Sequence, residues 1–283
     1  MIRPVIQALL MIAAGAGVLA QTPSFSSGVE AVRVDVLVTD NGRLVSGLQP
    51  ADFEVLDNGV LQSVDLASFD EIPLNVVMAL DMSGSLNADE IGHLRTAGNT
   101  VLNGLKQTDQ AALLTFSHVL SQRAPLTSDF ARIRAALMES DTSGHTSLVD
   151  ASFTGIMIGE SDVGRSLLII FTDGVDTRSF LTPAAVLETA KLCDVVVYGV
   201  EIGKRRSSFS RELSGATGGR LIEIESAKDI DATFRGILEE FRQRYLISYS
   251  PQGVVPGGWH RLDVRVKNRG LTVRARPGYL SSR

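Results

Sequence analysis

Hydrophobic positions change their spacing along this chain, and the changes divide it. In residues 32–38, Val32, Val34, Val36 and Val38 alternate with Arg33, Asp35 and Leu37, the period-2 pattern of a half-buried strand. Asp40-Asn41-Gly42 and Asp57-Asn58-Gly59 read as tight hairpin turns, with Phe53, Val55, Val60 and Val64 expected to face one core. Two hairpins bury too little to stand alone, so further strands must come from elsewhere. Near the other end, residues 245–250, 259–267 and 271–275, followed by Tyr279, supply them. There Leu262, Val264 and Val266 alternate with Asp263, Arg265 and Lys267. The simplest arrangement pairs the N- and C-terminal strands into one small β-sandwich.

Between these flanks, short apolar runs alternate with helical patterns. Strands are expected at 74–80, 111–116, 166–171, 195–202 and 220–224. Helices are expected at 88–105, 130–138, 148–158, 183–192 and 227–245, with a helical turn at 209–213. Such alternation predicts an α/β fold, a doubly wound and mostly parallel sheet, inserted into the sandwich. In the last helix Ile230, Phe234, Ile237, Leu238 and Phe241 share one stripe, and the helix runs straight into strand 245–250. That continuity would link the two units mechanically, although any packed helix shows such a stripe.

The first twenty residues, MIRPVIQALLMIAAGAGVLA, differ from both patterns. Arg3 is a positive start, an apolar stretch interrupted at Gln7 follows, and Val18-Leu19-Ala20 precedes Gln21 as a small-residue cleavage site. The run is shorter than the roughly 20 apolar residues of a membrane span. It reads as the signal peptide of an exported protein, periplasmic or secreted, with no stable transmembrane anchor after cleavage. The expected organisation is therefore signal peptide 1–20, linker 21–28, sandwich strands in 29–70 and 245–283, and the α/β domain at 71–244. Of the 283 residues, 44% are hydrophobic, enough for more than one core. The single Cys193 excludes an internal disulfide and reads as a small buried side chain. A formal net charge of -5 argues against nucleic acid as a partner.

Candidate chemistry concentrates at the ends of two apolar runs. LNVVMALDMSGS ends in Asp81 followed by Ser83 and Ser85, and RSLLIIFTDG ends in Asp173. Ligands of open α/β sheets bind beyond the carboxyl ends of the strands. Between the two runs, SGHTSLV carries Thr146 at the expected start of a helix. These five residues offer only oxygen, which suits a hard cation such as Mg²⁺ better than Zn²⁺. Asp and Ser after a strand are also common helix caps, and Ser85 or Asn87 would serve there.

In this order the five residues resemble the von Willebrand factor type A family, whose metal-ion-dependent adhesion site has the pattern Asp-x-Ser-x-Ser, then Thr, then Asp. The flanking strand sequences together with the leader also resemble a bacterial exported group of related proteins. The resemblance implies that Ser83, Ser85 and Thr146 touch the metal through hydroxyls, while Asp81 and Asp173 act mainly through bound water. It implies Mg²⁺, with Mn²⁺ or Ca²⁺ compatible, and an open position filled by an Asp or Glu carboxylate of a partner protein.

His118 and His145 follow a strand end and precede Thr146, so each reads as a ligand-orienting residue or an ordinary surface histidine. Asp176 either shapes the loop after Asp173 or is solvated. No G-x-S-x-G elbow, phosphate loop or general base is evident, so the chain reads as a binding module and not an enzyme. A metal-dependent hydrolase and an envelope-assembly scaffold with a structural metal are the competing readings.

Overall fold

A computed structural model of the chain describes residues 31–68, 72–140, 142–161, 163–203, 207–267 and 270–281. The expected signal peptide and linker lie outside the described residues. The chain begins with β1 (Val32–Asp40), β2 (Arg43–Leu44), β3 (Phe53–Asp57), β4 (Val60–Gln62) and β5 (Leu66–Ser68). The two Asn-Gly turns hold Asn41 and Asn58 at positive φ, as tight hairpins require.

The α/β unit follows with β6 (Leu74–Asp81), α1 (Ala88–Asn103), β7 (Gln110–Phe116), β8 (Leu120–Thr127), α2 (Phe130–Met138) and α3 (Leu148–Gly159). It continues through β9 (Arg165–Thr172), α4 (Pro183–Ala190), β10 (Val196–Ile202), α5 (Ser208–Ala216), β11 (Leu221–Ile224) and α6 (Ile230–Arg242). The chain then returns to strands: β12 (Tyr245–Tyr249), β13 (Gly258–Val266), β14 (Thr272–Arg274) and β15 (Gly278–Ser281).

The central sheet has the order β11-β10-β9-β6-β7-β8, parallel throughout except for β8. Every residue of β6 and of β9 is buried, because helices cover both faces. On one face Val76, Met78 and Leu80 pack with Leu94, Val101, Phe234 and Phe241. On the other, Val77 and Ala79 pack with Leu148, Ile156 and Leu168. From β6 the chain adds β7 on one side and later β9 on the other, so the topological switch point lies between the tips of β6 and β9.

The remaining strands form two antiparallel sheets, β14-β1-β12-β5, with β2 on β1, and β15-β13-β3-β4. N- and C-terminal strands alternate: β1 lies between β12 and β14, and β3 pairs with β13. Val34, Val36, Val55, Tyr245, Ile247 and Leu262 fill the space between the sheets. The α/β unit is thus inserted into a sandwich that neither chain end could build alone.

Three details depart from the sequence pattern. Strand β8 was not expected: LSQRAPLT has no clean alternation, and Pro125 removes a donor. As the antiparallel edge of the sheet, with register irregularities against β7, it tolerates both. Val60 is exposed, contrary to its expected core position: it shares the strand face of buried Gln62 but lies at the end of the strand beside the Asn58-Gly59 turn, where less of the fold covers it. Helix α6 is shorter than expected, starting after a 3-10 turn at Ala227–Asp229 and ending at Arg242.

Buried charge joins the two units. Arg165, at the start of β9, forms an ion pair with Asp35 of β1, donates to the Phe241 carbonyl at 3.2 Å and lies over the Phe241 ring. Arg276 donates to the Arg33 carbonyl and to Asp194, both at 2.8 Å. Removing one partner of the buried Arg165–Asp35 pair strands the other, so this contact ties the α/β unit to the sandwich.

Candidate metal site

Asp81 is the last residue of β6 and is wholly buried. Its Oδ1 accepts from the Ser83 backbone N–H at 2.8 Å, which bends the chain directly after the strand. Its Oδ2 accepts from the Thr172 hydroxyl at 2.6 Å, joining the tips of β6 and β9. Ser83 is buried and Ser85 exposed, with their hydroxyl oxygens 3.0 Å apart. Helix α1 begins immediately beyond, and Asn87 caps it by accepting from Asp89 and Glu90 N–H. Ser83 and Ser85 are therefore left for other work.

The Thr146 loop is stitched onto this turn. Gly84 N–H donates to the Gly144 carbonyl at 3.0 Å, and Ser143 N–H to the Met82 carbonyl at 2.9 Å. Gly144 has φ +76°, and an added Cβ would meet the His118 ring at 1.9 Å. That ring accordingly packs on the loop, while His118 Nδ1 lies 3.4 Å from the Ser117 hydroxyl. Thr146 is buried. Its N–H donates to the Thr177 hydroxyl at 3.1 Å, and its carbonyl accepts from Thr177 and Arg178 N–H.

The segment after β9 closes the third side. Asp176 accepts from Val149 N–H at 3.1 Å and from the Ser179 hydroxyl, and Ser179 Oγ accepts from Asp150 N–H at 3.0 Å. These side chains cap α3, whose own N-cap Ser147 makes no such bond. Asp176 thus shapes the loop; it is not merely solvated.

Three loops bring Asp81, Ser83, Ser85, Thr146 and Asp173 to the carboxyl end of the sheet at its switch point. His118 is exposed and leans on the Thr146 loop, and His145 is exposed beside Thr146. Sequence reading overlooked Thr172 and Thr177, which hold Asp81 and Thr146 in place. The signal for the first was the hydroxyl directly before Asp173; nothing in the local pattern marked the second.

The electrostatics of the cluster suit a cation. Burial pushes the Asp81 carboxyl up to about 6, only partly offset by the bonds from Thr172 and Ser83, and Asp173 adds repulsion. Asp173 Oδ1 is buried with no hydrogen-bond partner. An unpartnered buried oxygen, a destabilised carboxylate and three neighbouring hydroxyls fit a hard, oxygen-seeking divalent ion. Among the described residues there is no group of three or more His, Cys, Asp and Glu that could hold a metal.

Comparison with known families matches residues 75–235 to the von Willebrand factor type A domain. A comparison with curated proteins gave no significant match. Among solved structures, a von Willebrand factor type A protein from Catenulispora acidiphila is 14% identical, covering 90% of this chain and 75% of that one with a TM-score of 0.54. Proximal thread matrix protein 1 from the mussel byssus, in a form described as having a zinc-occupied MIDAS motif, is also 14% identical. It covers 65% of this chain and 49% of that one, with a TM-score of 0.57. The conserved hypothetical protein BatB from Bacteroides thetaiotaomicron is 15% identical over 59% of this chain and 96% of that one, with a TM-score of 0.50. At these identities the likenesses establish the fold.

Proposed function

The chain belongs to the von Willebrand factor type A domain family, and on that premise we propose that it is an exported, metal-dependent protein-binding module for adhesion or assembly. Ser83, Ser85 and Thr146 would hold a Mg²⁺ ion through their hydroxyls, and Asp81 and Asp173 through their carboxylates or bound water. Mn²⁺ and Ca²⁺ share its oxygen preference. When bound, the ion supplies a Lewis-acidic position that an Asp or Glu carboxylate of the partner completes. The observation that carries this reading is the buried, unpartnered Asp173 Oδ1 beside the destabilised Asp81 carboxylate. The mussel relative's zinc-occupied motif supports a metal on this fold without fixing the ion.

Binding is favoured over hydrolysis because the nearby histidines are poorly disposed to act as a base. The His118 ring packs on Gly144 with Nδ1 toward Ser117, and His145 points to solvent. Export rests on the leader sequence; among the described residues no helix is long and apolar enough to cross a membrane. The organisation expected at 29–70, 71–244 and 245–283 belongs to the same proposal, as does the exclusion of nucleic acid.

The test is capture from cell-envelope extract with the mature chain in Mg²⁺, in EDTA, and with Asp81→Ala. A protein retained only with Mg²⁺ and intact Asp81 is the expected result. Capture indifferent to both changes would mean that the ion is structural or that the interface lies on the sandwich.

A further inference from the structure

The segment after Asp173 and the turn after β7, both bonded to the Thr146 loop, carry apolar side chains that the fold leaves in water. Phe180 is 96% exposed, the highest among the exposed large hydrophobic side chains of the described residues, and Val119 is 58% exposed. Leu181, next to Phe180, is exposed as well. A fully solvated phenylalanine forgoes the stabilisation of burial, and folds do not ordinarily place one on a fixed backbone.

The backbone here is fixed. Phe180 and Leu181 N–H donate to the two oxygens of Asp150 in the first turn of α3, at 2.9 and 2.8 Å. Ser179 N–H donates to Asp176 at 3.3 Å, and the Asp176 carboxylate also caps α3 through Val149 N–H. Thr177 and Arg178 are bonded to Thr146 itself. The segment is clamped between Asp173 and the start of α3, and it presents Phe180 three residues beyond Thr177. Val119 occupies the turn on the other side, next to His118, whose ring leans on Gly144. Arg178 is exposed on the same clamped loop, adding positive charge to the rim.

Resting on the metal-site reading above, we propose that Phe180, with Leu181 and Val119, is the specificity surface of the site. Its occupant is a partner-protein segment in which the metal-seeking Asp or Glu is flanked by an aromatic or branched aliphatic residue. Charge complementarity selects this occupant. A cation in the cluster and Arg178 beside it attract an acidic group, and the apolar rim rewards a neighbour that can leave water with it. A carboxylate flanked by small polar residues would reach the ion and leave Phe180 wet.

The test uses a displayed peptide library with a fixed central Asp or Glu and four randomised residues on each side, panned on the full chain in Mg²⁺ and eluted with EDTA. Wild type is expected to enrich aromatic or aliphatic residues next to the carboxylate. Phe180→Ser is expected to lose that enrichment and weaken the recovered peptides about tenfold, while their EDTA sensitivity persists. Metal-dependent peptides showing no apolar preference, or one unchanged in Phe180→Ser, would overturn the specificity surface and leave the metal site standing. Absence of metal-dependent capture by wild type would overturn the parent reading and this one with it. Mg²⁺-dependent dimerisation abolished by Phe180→Ser would assign the rim to a second copy of the chain and also overturn the proposal.

Discussion

Asp57 in the sandwich and Asp81 in the α/β unit are alike on the surface of the sequence and opposite in physics. Each is the last residue of a strand, each is followed by turn-forming residues, and each is wholly buried. Around Asp57 the fold has gathered donors from three strands. His260 Nδ1 lies 2.8 Å from one oxygen, and the hydroxyls of Tyr249 and Tyr279 each donate to the other at 2.9 Å. A carboxylate only accepts, so both Asp57 oxygens are satisfied with the His260 proton on Nδ1, while His260 Nε2 stays buried without a partner. Around Asp81 there are the Thr172 hydroxyl and Ser83, a neighbouring carboxylate with an unpartnered oxygen, and the hydroxyls of Ser83 and Ser85 hydrogen-bonded to each other. The Asp57 carboxylate is saturated by donors that tie three strands together, whereas the Asp81 and Asp173 cluster keeps a buried carboxylate oxygen without a partner.

The largest effect should come from breaking the completed cluster. Asp57→Ala removes the acceptor shared by two buried tyrosine hydroxyls and the His260 ring, leaving only the 3.1 Å contact between Tyr279 and His260, and is expected to destabilise the chain by on the order of 4 kcal/mol. Urea unfolding would measure it. A loss below about 1 kcal/mol would show that the clasp is not what closes the sandwich.

The opposite sign is expected at the metal face. Because burial raises the Asp81 carboxyl to about 6 in the folded chain, its charged form is less comfortable folded than unfolded. Its contribution to metal-free stability is therefore best below the ordinary carboxylate range, falls as pH rises from about 4 through 6, and stays low above. In EDTA at pH 7.5, Asp81→Asn should stabilise the chain by about 1–3 kcal/mol. In saturating Mg²⁺ the order should reverse, since only wild type gains binding energy. Thermal melts of both proteins, with and without metal, decide this. Unchanged order in Mg²⁺ would remove Asp81 from the ion.

The scaffold around the open cluster offers a finer test. Gly144→Ala places a Cβ against the His118 ring at a positive φ and is expected to cost about 1–2 kcal/mol. Adding His118→Ala should relieve the clash but not the backbone strain. Full recovery in the double variant would mean that sterics alone dictate glycine there. The smallest effect is expected from His145→Ala, within about 0.5 kcal/mol in stability, as for other surface changes. A marked loss of Mg²⁺ affinity, read by titration calorimetry, would instead give this exposed side chain a role at the ion.

What the chain states by itself is whatever depends on neighbours in sequence. Solid apolar runs announced β6 and β9, alternation announced β1 and β13, and Asn-Gly turns announced the hairpins, because burial on both faces, burial on one face and positive φ each select residue types locally. The positions of Asp81, Ser83, Ser85 and Asp173 were legible for the same reason: they follow strands whose ends are easy to find. The cover that Gln252 gives Gln62, while Val60 on the same face stays exposed at the strand end, and the edge position that tolerates Pro125 in β8 were decided by partners distant in sequence. So was the contrast between the two aspartates. Tyr249, His260 and Tyr279 lie about 200 residues from Asp57, and Thr172 lies 91 from Asp81. Whether a buried carboxylate is satisfied depends on donors arriving within about 3 Å, and only the folded chain determines which ones arrive.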